Sequence, residues 1–80
     1  MRLSDLPNIS NVLEKQLKSI GINTYEDLAF EGSVKVAQRL MVNNKVCINK
    51  LYALEGAIRD IRWHNLTTEE KIFLKKQFYD

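Results

Sequence analysis

Eighty residues, 9.3 kDa, are too few for two independent cores or for most enzyme scaffolds, while 45% apolar against 28% charged residues excludes a disordered chain. Twelve Lys and Arg against ten Asp and Glu leave a formal charge of +2; residues 1–44 are balanced at five and five, and 45–80 hold seven against five, so no strongly basic face is announced. Cys47 is the only cysteine, MRLSDLPN lacks a signal-peptide core, and no apolar run is long enough to span a bilayer, so one cytoplasmic domain over residues 1–80 without membrane contact is expected.

Pro7 disfavours helix in the residue before it, so the chain opens with a short turn at LSDL and bends. Val12, Leu13, Leu17 and Ile20 then follow a helical stripe of roughly ten residues that Gly21 closes. Thr24 and Asp27 are spaced as a capping pair for a second helix carrying Tyr25, Leu28 and Ala29, with Gly32 as its stop. Ser33 caps a third, whose Val36, Ala37, Leu40 and Met41 share a face until Asn43 and Asn44 turn the chain.

The longest helix is predicted from near Val46 to Asn65, because Cys47, Leu51, Leu54, Ile58 and Ile61 step by four, three, four and three along about five turns. Within it Gly56 costs up to about 1 kcal/mol relative to alanine, which a close crossing by another helix over Ala53, Gly56 and Ala57 would offset. Glu55 and Arg59 are spaced to pair on the solvent side. Thr67 and Glu70 repeat the capping-box spacing ahead of a last helix with Ile72, Phe73, Leu74 and Phe78. Every strong signal is helical, so the expected fold is all-α, a compact bundle of five to six helices.

Chemistry finds little purchase. Cys47 and His64, the only residue of each type, lie too far apart on the expected long helix to share an ion, so no metal and no cofactor is expected. Cys47 reads as core and His64 as a partner for the helix's last carbonyls. There is no phosphate loop, paired-carboxylate motif or activated nucleophile, which argues against an enzyme and against a small-molecule substrate. Trp63 beside Arg62 has two readings: an exposed pair that docks a protein partner, or a buried tryptophan wedging the last helix. The basic set Lys45, Lys50, Arg59 and Arg62 is interleaved with Glu55 and Asp60, as on a solvated face.

The most informative stretch is LPNISNVLEKQLKSIGINTYEDL, residues 6–28. A bend at Pro7, Asn8, Ile9 and Ser10, then a helix beginning at Asn11 with free backbone amides and with Lys15 and Lys18 one to two turns on, is a geometry able to hold a phosphate oxygen. It resembles a helix-hairpin-helix, the module that grips nucleic-acid backbones without reading sequence; where that module carries two glycines around the central apolar residue, this chain has Asn8 and Ser10.

Together, LPNIS, SIGI, NTYEDL and especially the LYALEGAI-x-x-IRWH-x-L block, residues 51–66, resemble the C-terminal domain of the TfoX/Sxy competence regulators, from about Leu3 to Leu74. The resemblance implies an all-helical fold with helix-hairpin-helix-like (SAM-like) elements and a role in transcriptional control of DNA uptake. Family members often carry a separate N-terminal domain, absent from these eighty residues. Two partner classes stay open: nucleic acid, touched through Pro7–Asn11, Lys15 and Lys18, or protein, either a transcription factor or a second copy in a homodimer, touched through Arg62 and Trp63.

Overall fold

The computed structural model describes residues 2–42 and 44–80, so the expectation placed on Asn43 lies outside the described residues. The chain is all-helical. A 3₁₀ turn, Leu3–Asp5, leads to α1 (Asn11–Ser19), α2 (Tyr25–Glu31), α3 (Ser33–Leu40), α4 (Ile48–Arg59), a second 3₁₀ turn (Trp63–Asn65) and α5 (Thr68–Tyr79). No strand occurs among the described residues, and none of their helices is long and apolar enough to cross a membrane.

Local chemistry explains most boundaries. Ser10 Oγ accepts from the amide of Leu13 and caps α1. Thr24 with Asp27 and Thr67 with Glu70 form reciprocal capping boxes at the starts of α2 and α5. Gly32 cannot continue α2, because its φ of 89° suits only a residue without Cβ. α3 follows at once, and Ser33 is its first residue, not its cap.

One continuous core holds the helices together. Leu17, Leu28, Val36, Ala37, Leu40, Leu51, Leu54 and Ala57 are fully buried, and Leu3, Ile9, Leu66, Leu74 and Phe78 close over them. Truncating one of these leucines to alanine removes about 2–5 kcal/mol. Polar groups drawn inside are partnered: Ser33 Oγ donates to Glu55 Oε1 at 2.6 Å, and the hydroxyl of Tyr25 donates to the carbonyl of Ile58 at 2.7 Å, tying α2 to the end of α4.

Several sequence expectations are corrected. Val12, 66% exposed, and Met41, 48% exposed, leave the buried stripes of α1 and α3. The long helix is about three and a third turns, not five: it stops at Arg59, with Asp60 left-handed at φ 59° and ψ 41°, and the amide of Ile61 bonded back to Gly56. Cys47 is therefore not core; it is exposed at the N-cap of α4. His64 stands in the second 3₁₀ turn, edge-on to Trp63 at 5.6 Å, away from the carbonyls of α4. In α5, Ile72 and Phe73 are exposed while Leu74 and Phe78 face the core.

Among the described residues, no other α-helix supplies the atoms nearest Gly56. A Cβ there would lie 2.6 Å from Asn8 Nδ2 and 2.7 Å from the carbonyl oxygen of Ile61, so the small residue admits the Asn8 side chain and the chain's own return after α4.

Candidate functional site

The bend ahead of α1 folds much of itself inward. Asn8 has φ 70°, the left-handed backbone that a glycine adopts without cost and that asparagine tolerates. Its Nδ2 donates to the carbonyls of Ile61 at 2.9 Å and Ala53 at 3.3 Å, and its Oδ1 accepts from the amide of Trp63 at 3.2 Å. Ile9 is buried in the core, and Pro7 is half-buried beside it. The side chains of Asn8, Ile9 and Ser10 thus serve the fold.

What faces solvent is the first stripe of α1. Asn11, Lys15 and Lys18, at positions i, i+4 and i+7, are all exposed. The amides of Asn11 and Val12, the first two of the helix, have no acceptor among the described residues, as is usual in the first turn of a helix.

Glu14, the only acid of α1, is withdrawn from this surface. It is buried, receives Arg2 Nη2 at 2.8 Å and accepts the amide of Ser4 at 3.1 Å. These bonds, the arginine's first, hold its carboxyl below the usual carboxylate range. It ties the opening turn to α1 and keeps the helix's one acid off the exposed stripe.

Sequence reasoning assigned Lys50 to a set with Arg59 and Arg62; the fold divides that set. Lys50 Nζ donates to Gln16 Oε1 of α1 at 3.1 Å, and Gln16 Nε2 donates in turn to Asn44 Oδ1 at 3.4 Å. Arg59 goes the other way, pairing with Glu55 at 2.6 Å and with Glu70. One basic side chain of the second half, Lys50, therefore reaches α1. The signal that could have found it is a stretch of 23 residues, Gly32 to Leu54, with no Asp or Glu and with Lys35, Arg39, Lys45 and Lys50. Acids gather elsewhere: Glu31, Glu55, Glu69 and Glu70, with Lys35 and Arg59 among them, line the cleft between α3, the end of α4 and α5.

Arg62 is exposed and Trp63 half-buried, between the two sequence readings. The indole lies nearly parallel to Tyr52, ring centres 6.4 Å apart, and Lys71 Nζ stands 5.2 Å from its centre. Because Trp63 donates its amide to Asn8, the two candidate surfaces are joined at that bond. No group of three His, Cys, Asp or Glu side chains able to hold a metal occurs among the described residues.

Comparison with known proteins gives a consistent kinship. The family model described as the TfoX C-terminal domain matches residues 1–78. The crystal structure of an uncharacterized protein from Listeria monocytogenes, triclinic form, is similar at 48% identity and a TM-score of 0.91, over 95% of this chain and 88% of that one. The crystal structure of a protein of unknown function from the same organism, tetragonal form, is similar at 47% identity and a TM-score of 0.89, over 96% and 95%. No curated protein matches.

Proposed function

The chain belongs to the TfoX C-terminal domain family, and we propose that it serves as a non-enzymatic regulatory module that contacts nucleic-acid backbone weakly and without reading sequence. The family's link with competence supports a place in transcriptional control of DNA uptake. The observation that carries the reading is the outer stripe of α1: Asn11, Lys15 and Lys18 stand exposed behind two backbone amides without internal acceptors, and the helix's one acid is buried against Arg2. A phosphate at that end meets the helix dipole and amides first and the lysines next. Asn8 supplies the left-handed turn of a helix-hairpin-helix bend, while its inward side chain leaves the backbone as the contacting surface.

Titrating ¹⁵N-labelled protein with duplex DNA in low salt tests this. Shifts should concentrate at Asn8 to Asn11 and along Lys15 and Lys18; their absence, where backbone binding is strongest, removes the reading.

The second reading, a protein-docking module, is favoured by a different observation: α5 turns Ile72 and Tyr79 outward together, 52% and 65% exposed, beside exposed Phe73. Arg62 and Trp63 belong to the same reading. Sedimentation over a wide concentration range tests the homodimer; a strict monomer ends it.

A further inference from the structure

We infer that the nucleic-acid surface has a second arm, Lys50 in α4 and Lys45 in the connection before it, which Gln16 fastens to α1 through Lys50 and Asn44, so that four lysines from two helices and a loop track one phosphate backbone. The inference rests on the proposed function and extends the same surface.

Three observations converge on it. Gln16 sits beside Lys15 on α1, and its side-chain amide engages both Lys50 and Asn44, fastening the start of α4 and the connection before it to α1. Lys15, Lys18, Lys45 and Lys50 form no ion pair among the described residues, whereas Arg2, Arg39 and Arg59 are each paired with a glutamate. Lys50 also lies in the first turn of α4, which contains no acid, although a cation there opposes the helix dipole and an acid would be the stabilising choice. A partner carrying regularly spaced negative charge compensates all three, since each phosphate it brings relieves the mutual repulsion of the lysines.

The test is the salt dependence of binding to a duplex DNA of random sequence, read by fluorescence anisotropy, with thermal melts confirming that each variant folds. For duplex DNA each neutralised phosphate contributes about 0.9 to the slope of log affinity against log salt. Lys15→Gln/Lys18→Gln and Lys45→Gln/Lys50→Gln should each lower the slope by about 2. Gln16→Ala changes no charge; it should weaken binding by roughly two- to fivefold while leaving the slope nearly intact, the signature of a positioning residue. If the first pair lowers the slope and the second does not, the second arm is overturned and the proposed function stands. If neither pair lowers it, both fall. Displacement of DNA by polyglutamate as effectively as by competitor DNA at equal charge would overturn the assignment to nucleic acid.

Discussion

Asn8 Oδ1 accepts the backbone amide of Trp63 at 3.2 Å, a contact between residues 55 positions apart. With the two bonds from Nδ2 it makes Asn8 the bracket between the opening bend and the chain leaving α4. Removing it leaves two carbonyls and one amide without their partner, each worth about 1 kcal/mol or more when half-buried. Asn8→Gly keeps the backbone at ease and loses only the bonds, an expected cost of about 1–3 kcal/mol. Asn8→Ala keeps a Cβ at φ 70° but loses the polar side chain through which asparagine tolerates that backbone, about 1 kcal/mol further. Urea unfolding measures both; an alanine variant within 0.5 kcal/mol of the parent, inside the scatter of ordinary surface changes, contradicts the bracket.

Gly56→Ala pits propensity against space. A helix interior gains up to about 1 kcal/mol from the change, yet the new Cβ would meet Asn8 Nδ2 and the carbonyl of Ile61 at under 3 Å. Overpacking of this kind costs about 1–3 kcal/mol, so net destabilisation is expected in a thermal melt. Backbone on one side and a bracketing side chain on the other leave little room to yield.

Asp60→Gly should stabilise. The left-handed residue ending α4 is exposed and makes no side-chain hydrogen bond among the described residues, so glycine relieves backbone cost without losing a contact. About 0.5–1 kcal/mol is the expected gain, offset in part by glycine's freedom in the unfolded chain. A lower melting temperature would show that Asp60 has a role its geometry does not reveal.

Acid should loosen the opening turn. The Glu14 carboxyl is held low by Arg2 and by the amide of Ser4, and that of Asp27 by the amide of Asn23 first, with Thr24 behind it. A depressed carboxylate contributes stability that is complete above its unfolded value, about 4, and is lost as pH falls through its lower folded value. Stability should therefore decline below about pH 4, and Glu14→Gln should flatten part of that decline while lowering stability at neutral pH. A Glu14→Gln curve parallel to the parent's would mean that the Arg2 pair does not report on folding.

How much of this the sequence discloses depends on range. The two capping boxes, the Glu55–Arg59 pair and the buried Leu13, Leu17, Val36, Ala37 and Leu40 follow from partners three or four positions apart and lie where the spacing puts them; Val12 and Met41 do not. The end of α4 does not, because Ile58 and Ile61 keep a helical rhythm across a turn set by Asp60's left-handed backbone and the packing of Trp63 on Tyr52. Likewise the lysine stripe of α1 is visible as a spacing of three, but Lys50 joins it through Gln16, 34 residues away, a proximity that only the packed bundle creates. Asn8 is the instructive case: its residue type suggests a bend, and nothing local says that its side chain points into the protein.

Charge is arranged differently at the two ends of α4: Lys50 in the first turn forms no ion pair among the described residues, whereas Glu55 and Arg59 toward the last turn are paired with each other. Within about 8 Å, the Debye length at physiological ionic strength, a polyanion therefore meets uncompensated charge at one end of that helix and a neutralised pair at the other. That difference biases the orientation of an encounter before contact, which the net charge of +2 by itself does not.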